Sequence, residues 1–334
     1  MGMNTENAYP KTLIEAIRYF TNPDTALAFF VKARWPDGVV RCPHCNGTDV
    51  RFYANYRRWE CKAKHERRQF TVKVGTIMED SPIGLDKWAV AFWLEANAKN
   101  SISSYEVHRA LGITQKSAWF MQHRIRLAMQ RGSFTTKLGG EVEVDETFIG
   151  GKARNMHAGK RKAKGRGATG KAVVMGLLER HGEVRTVVVD NTKRRTLQPH
   201  VRDHVEKGAQ VFTDALSSYT GLSPEYIHQV IDHAECYVKG NIHTNGLENY
   251  WSLFKRAIKG THVSVEPFHL FRYLDAETFR FNNRKNNDAG RFALAIKGLA
   301  GKRLTYKALI GATAASEGYK ASLDSNAAST RQDN

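Results

Sequence analysis

The chain is poor in cysteine, proline and acid, and it has no long apolar run. Four cysteines in 334 residues exclude the disulfide framework of a small secreted domain. No apolar stretch approaches the ~20 residues of a membrane span, and the N-terminal MGMNTENAYPKT has no hydrophobic segment. The sequence therefore predicts no membrane association and a cytoplasmic protein. Eight prolines leave no proline-rich linker. Asp and Glu number 33 against 51 Lys and Arg, a formal net charge of +18, which predicts attraction to a polyanion, nucleic acid first. What is present is a globular composition, 41% hydrophobic, in a chain long enough for two or three domains.

Residues 11 to 32 carry apolar residues at helical spacing, interrupted by Asn22-Pro23-Asp24, so two short helices are expected. Three of the four cysteines then cluster with a histidine: Cys42-x2-Cys45, a fifteen-residue gap, and Cys61-x3-His65. That spacing suits a structural, tetrahedral Zn²⁺, with His44 as a competitor for the fourth position. Strand-like runs RFYANYRRWEC and RRQFTVKVGT surround it. Their Arg51, Arg57, Arg58, Lys62, Lys64, Arg67 and Arg68, interleaved with Tyr53, Tyr56, Trp59 and Phe70, suit a nucleic-acid surface. Cys236 stands apart.

Three helical patterns follow, LDKWAVAFWLEANAK, SSYEVHRALG and TQKSAWFMQHRIRLAMQ, the last two separated by a Gly112-Ile113 turn. This is the layout of a helix-turn-helix. Thr114 is the expected N-cap. Gln115 and Lys116 would open the recognition helix, with base edges in reach, and His123 and Arg124 read as exposed.

From Glu141 the pattern changes to strands: EVEVDETFIG, KAVVMGLLER and EVRTVVVD, the last two joined as a hairpin at His181-Gly182. A helical segment, the short strand AQVFTD, the helix NGLENYWSLFKRAIKG and the helix EPFHLFRYLDAETFRFNNRK complete a mixed α/β (α+β) region. The period of two puts Glu141, Glu143 and Asp145 on one strand face. Glu141 and Glu143 read as a solvated face. Asp145 reads as a ligand, because clustered carboxylates repel unless a cation lies between them, and Mg²⁺ favours oxygen donors. Asp214 ends a buried run at a usual place for site residues; taken alone, a helix N-cap or Asx turn is the commoner outcome there, and the neighbouring motifs favour a site residue. Glu248 and Lys255, seven apart, share a helix face.

Between the first two strands, eight Lys or Arg lie from Lys152 to Lys171 with no acid. Lys152, Arg154, Lys160, Arg161, Lys162, Lys164 and Arg166 form a flexible basic loop placed to grip DNA phosphates by counterion release.

The motifs VDETFIGG, TDALSSY, HTNGLENYWSLFKR and YLDAETFRFNNR, in this order and preceded by WPDGVVRCPHC, resemble the DDE-type transposases of bacterial insertion sequences, specifically the ISXO-type group. The resemblance spans roughly residues 12 to 290. It implies an RNase H-like mixed-sheet catalytic domain preceded by a zinc ribbon and a helical, helix-turn-helix-like region. It implies Asp145, Asp214 and Glu248 as the acidic set for two Mg²⁺ or Mn²⁺ ions ~3.5 to 4 Å apart, with Lys255, and Arg256 beside it, on DNA phosphate. Some members use Asn for the third acid, so Asn245 is the alternative ligand. The partners implied are the terminal inverted repeats of an element and its target DNA, bound by a homodimer or larger assembly.

The expected domains are a helical segment (1–38), a zinc ribbon (39–76), a helical DNA-binding region (82–134), the catalytic domain (140–290) and a tail (291–334) with a disordered end. The function expected is cleavage of element ends and strand transfer. The alternatives are a non-catalytic DNA-binding protein and a structure-selective nuclease on the same fold.

Overall fold

The computed structural model describes residues 10–130, 136–151, 170–231 and 243–312. The chain opens with helices α1 (Leu13–Phe20) and α2 (Pro23–Arg34), followed by strands β1 (Val50–Tyr53), β2 (Arg58–Cys61) and β3 (Gln69–Phe70). Helices α3 (Leu85–Asn97), α4 (Ser104–Leu111) and α5 (Gln115–Met129) come next, then strands β4 (Glu141–Ile149), β5 (Ala172–Glu179) and β6 (Val184–Val189). Helix α6 (Arg194–His204) leads to β7 (Gln210–Asp214) and β8 (Ile227–Ile231). Helices α7 (Asn245–Arg256), α8 (Leu270–Asn282), α9 (Asp288–Lys297) and α10 (Tyr306–Leu309) follow. The elements form two compact units, one built from the chain up to Arg131 together with Asn283–Ala312, the other from Gly132–Asn282. Among the described residues no helix is long and apolar enough to cross a membrane. The basic loop from Lys152 to Arg166, Cys236 and the end of the expected tail lie outside the described residues.

In the first unit local sequence sets the helix boundaries. Asn22 accepts the N–H groups of Asp24 and Thr25 while Pro23 occupies the first turn of α2. Ser103 and Glu106 make a reciprocal capping box at α4, Gly112 ends that helix at φ 58°, and Thr114 caps α5. The apolar faces meet around Phe20, Phe29, Trp93 and Phe292, whose rings lie within 6 Å of one another in pairs. Phe292 belongs to α9. The sequence predicts a tail from 291, whereas Asn283–Ala312 is part of this unit because Phe292, Ala295 and Ile296 give α9 a buried face.

His123 and Arg124 depart from the expectation of exposure: both are buried. Helix α5 is buried along most of its length by α3, α9 and α10, so its polar residues must find partners inside. Arg124 donates to the carbonyls of Glu79 and Leu304. Arg126 and Glu95 form a buried ion pair at 2.8 Å, with Gln122 donating to the same carboxylate.

The zinc-ribbon region is a three-stranded antiparallel sheet, β1-β2-β3. Two of its five aromatics are core: Trp59 and Phe70 are buried and stack at 5.9 Å, because they are paired across β2 and β3. Tyr56 is exposed and carries Arg58 on its face, and Arg51 lies over Tyr53.

The second unit is a five-stranded sheet ordered β6-β5-β4-β7-β8. β4, β5 and β6 are antiparallel, while β7 and β8 run parallel to β4. This is a mixed α+β fold with a mixed sheet. Val142 and Val144 face a core shared with Leu197 and Val201 of α6. The opposite face holds Leu247, Tyr250, Trp251 and Phe254 of α7 against Val174 and Leu178 of β5. Burial of each such side chain contributes about 1.5–3 kcal/mol. Strand β8, in the segment IHQVI, is an edge strand that sequence reading omits: Ile227 and Val230 are exposed, so no clean apolar alternation marks it.

Candidate functional site

Candidate ligands lie in both units, and those of the first form the metal-binding group found among the described residues. In the first, Cys42, Cys45, Cys61 and His65 bring their ligand atoms within 4.8 Å of one another. The Cys42 knuckle turns tightly, with Asn46 N–H donating to the Cys42 carbonyl and Asn46 in the left-handed region at φ 59°. Cys61 arrives on β2. The Cys45–Cys61 Sγ separation is 3.6 Å and Cys42 Sγ lies 3.5 Å from His65 Nε2. The edge of a tetrahedron around zinc with Zn–S near 2.3 Å is about 3.8 Å, so the donor set fits Zn²⁺. His44 is not among the four, although its ring lies 5.8 Å from that of His65.

In the second unit Asp145 sits on β4, Asp214 at the carboxyl end of β7 and Glu248 in the first turn of α7. Glu143 lies beside Phe212 in the parallel pairing of β4 with β7. Asp145 and Asp214 are each two residues further along and so share that face. Trp251 Nε1 donates to Asp145 Oδ2 at 3.0 Å. The close approach of α7 depends on Gly176, the partner of Asp145 on β5. A Cβ there would meet Trp251 at 2.7 Å and Leu247 at 2.9 Å.

Burial, helped by the charges of Asp214 and Glu248 and opposed by hydrogen bonds from the Glu146 backbone and Trp251, pushes the Asp145 carboxyl up to about 6. Burial, with Asp145 and Asp214, pushes Glu146 up to about 8. Glu146 Oε1 is buried without a hydrogen-bond partner. Carboxylates are the oxygen donors a divalent cation seeks, and Asp145, buried near the charges of Asp214 and Glu248, fits such an ion. The Asx turn weighed for Asp214 is also present, since Oδ1 accepts the Leu216 N–H at 3.1 Å.

The charge of Glu248 on α7 contributes to raising Asp145. Asn245, which opens the helix, and Glu248 are both exposed, as is Arg256 at its end. Burial lowers the Lys255 pKa while Asp145 raises it and Lys259 and Lys171 lower it, so this lysine lies in the field of Asp145 and two further cations. Lys171 closes the basic run read from the sequence, whereas Lys259 was not among the sequence candidates. The i+4 spacing of Lys255 and Lys259 was the available signal.

Gln115 and Lys116 stand in the first turn of α5, but both are engaged within their unit. Gln115 donates to Ser104 Oγ at 2.8 Å, and Lys116 Nζ lies 4.5 Å from the centre of the Tyr306 ring. A second basic surface went unread in the sequence. Lys193, Arg194, Arg195 and Arg202 of α6 and its N-cap line an open groove of about 710 Å³ with Gln198 and Pro199. Gln198 Nε2 donates to the Ser218 and Thr220 carbonyls, linking the groove to the segment that follows Asp214.

Glu143 departs from the solvated-face expectation. It is buried, 3.1 Å from Arg180 Nε, and accepts the Leu247 N–H at 3.0 Å. Nothing local in EVEVDE signals this, because both partners are distant in sequence.

Residues 137–282 match the family model of the ISXO2-like transposase domain, and residues 22–65 match that of the transposase zinc-ribbon domain. The chain is 26% identical over 279 residues to an uncharacterized protein in transposable element ISH50 of Halobacterium salinarum, covering 79% of this chain and 92% of that protein. It is 36% identical over 103 residues to an uncharacterized transposase-like protein of Haemophilus influenzae, covering 30% of this chain and 82% of that protein. No solved structure matches.

Proposed function

The chain belongs to the ISXO2-like transposases with an N-terminal zinc ribbon, and from that premise we propose that it cleaves the ends of an insertion element and joins them to target DNA at Asp145, Asp214 and Glu248. The observation that supports this reading is the placement of these acids on two parallel strands and one helix, with Asp145 buried and touched by the charges of Asp214 and Glu248. Asp145, Asp214 and Glu248 would hold divalent cations, with Asn245 one turn from Glu248 as the alternative third ligand. Such ions, when bound, polarise a phosphoryl oxygen and lower the pKa of an attacking hydroxyl.

The chain's own residues have narrower tasks. Trp251 fixes the Asp145 carboxylate by the hydrogen bond to Oδ2. Lys255, with Arg256 exposed at the helix end, supplies positive charge for the phosphate beside the reacting bond. No residue need act as a strong base, because in-line phosphoryl transfer depends mainly on position and charge stabilisation. Water serves as the first nucleophile and the freed 3′-hydroxyl as the second.

DNA would be held by the zinc-ribbon surface around Arg51 and Arg58, by the first turn of α5, and by the α6 groove. Two ends must meet, so a homodimer or larger assembly is part of the proposal. Incubation with Mg²⁺, a labelled element end and target DNA tests it: joined products are expected. Cleavage without joining would leave a nuclease, and intact DNA would leave a DNA-binding protein.

A further inference from the structure

Helix α7 starts without a cap of its own. Thr244 occupies the N-cap position, yet its side chain accepts no hydrogen bond from the helix, and buried first-turn N–H groups need an acceptor. The acceptor comes from the sheet. Glu143 Oε2 takes the Leu247 N–H at 3.0 Å. Glu143 and Leu247 are both fully enclosed, at 1% and 0% exposure, so salt and water do little to weaken this charge-assisted bond at the positive end of a helix.

Arg180 holds the carboxylate in place. Its Nε donates to Glu143 Oε1 at 3.1 Å and its Nη1 to Glu141 Oε2 at 3.2 Å. Its Nη2 donates to the His243 carbonyl at 2.7 Å, immediately before the N-cap, and its guanidinium lies 4.0 Å from the centre of the Phe212 ring. Arg180 thus grips the chain entering α7 while Glu143 grips the first turn. Gly246 makes room: a Cβ there would lie 2.8 Å from Glu143 Oε2 and 2.4 Å from Leu178 Cδ2.

Glu143 and Asp145 are two residues apart on one strand, and Leu247 and Glu248 are adjacent on one helix. We propose that Glu143, gripped by Arg180, is a positioning residue that sets the spacing between the helix carrying Glu248 and the strand carrying Asp145, and with it the affinity of these acids for a divalent cation. This rests on the metal reading of the site given above.

The test is Mn²⁺ titration of the full-length, zinc-loaded protein without DNA, read by electron paramagnetic resonance and run beside thermal unfolding. Glu143→Gln keeps the length and removes the charge. Gly246→Ala disturbs the same contact from the helix side. Each is expected to weaken Mn²⁺ binding by about tenfold or more, the usual scale for a partner that orients a ligand. A lower melting temperature with unchanged Mn²⁺ affinity in the folded variants is what a purely structural role gives, and it overturns the proposal. If Glu143→Gln does not fold, Gly246→Ala decides by the same two readouts. Wild-type protein that binds Mn²⁺ no more tightly than Asp145→Asn contradicts the metal reading itself, and the positioning role falls with it.

Discussion

Trp251 donates its indole N–H to Asp145 Oδ2 across 3.0 Å, joining the middle of helix α7 to the middle of strand β4. The bond favours the charged carboxylate, opposing the burial that raises it. Trp251→Phe keeps a large ring and loses the donor. Strand cleavage is expected to fall about tenfold, on the scale of lost ligand-orienting contacts. The acid limb of the pH–rate profile should move to higher pH, because Asp145 loses a group that stabilises its anion. An unshifted limb would contradict this role.

Gly176 is the second element of the same contact. Gly176→Ala puts a methyl group 2.7 Å from Trp251 and 2.9 Å from Leu247, an overpacking expected to cost about 1–3 kcal/mol. Thermal unfolding should show a fall of several degrees, with cleavage reduced further than stability alone explains.

Asp145 near 6 and Glu146 near 8 both lie above their ordinary values. The folded state therefore keeps protons that the unfolded chain releases, and these two groups withdraw stability from the ion-free protein as pH rises from about 4 to about 8. Glu146→Gln removes the larger of these effects. Without added Mg²⁺, its melting temperature should exceed that of wild type at pH 8 and converge with it near pH 4.5. A difference that does not grow with pH would refute the assignment.

The zinc cluster makes a separate prediction. His65→Ala should lose bound zinc and the ordered ribbon, whereas His44→Ala should retain one equivalent, since only His65 stands with Cys42, Cys45 and Cys61. Metal content and near-ultraviolet circular dichroism of the two variants check it.

The α6 groove should contribute to DNA affinity through charge alone. Arg194→Glu combined with Arg195→Glu is expected to weaken binding to all sequences and to reduce the salt slope by about 2. A fluorescence titration at several salt concentrations that finds the wild-type slope would remove this surface from the DNA interface.

Much of this architecture is written locally. Asn22-Pro23, the Ser103–Glu106 box and Gly112-Ile113-Thr114 fix helix ends through bonds that span two or three residues. The Cys-x2-Cys knuckle is equally local. What sequence could not supply depends on distant partners: Glu143 is buried because Arg180 and α7 reach it, and His123 and Arg124 because α3, α9 and α10 surround α5. Alternation correctly places Glu143 and Asp145 on one face, yet it says nothing of what covers that face. Strand β8 escapes because an edge strand need not alternate.

The central claim is that Asp145, Asp214 and Glu248 act as one cation-dependent site for cutting and joining DNA. The most direct measurement is cleavage and joining of a labelled element end in Mg²⁺ by Asp145→Asn, Asp214→Asn and Glu248→Gln, each first shown to bind the end as wild type does. The account predicts that all three lose both reactions while Asn245→Ala keeps them in part. Full cleavage by either Asp variant would contradict it.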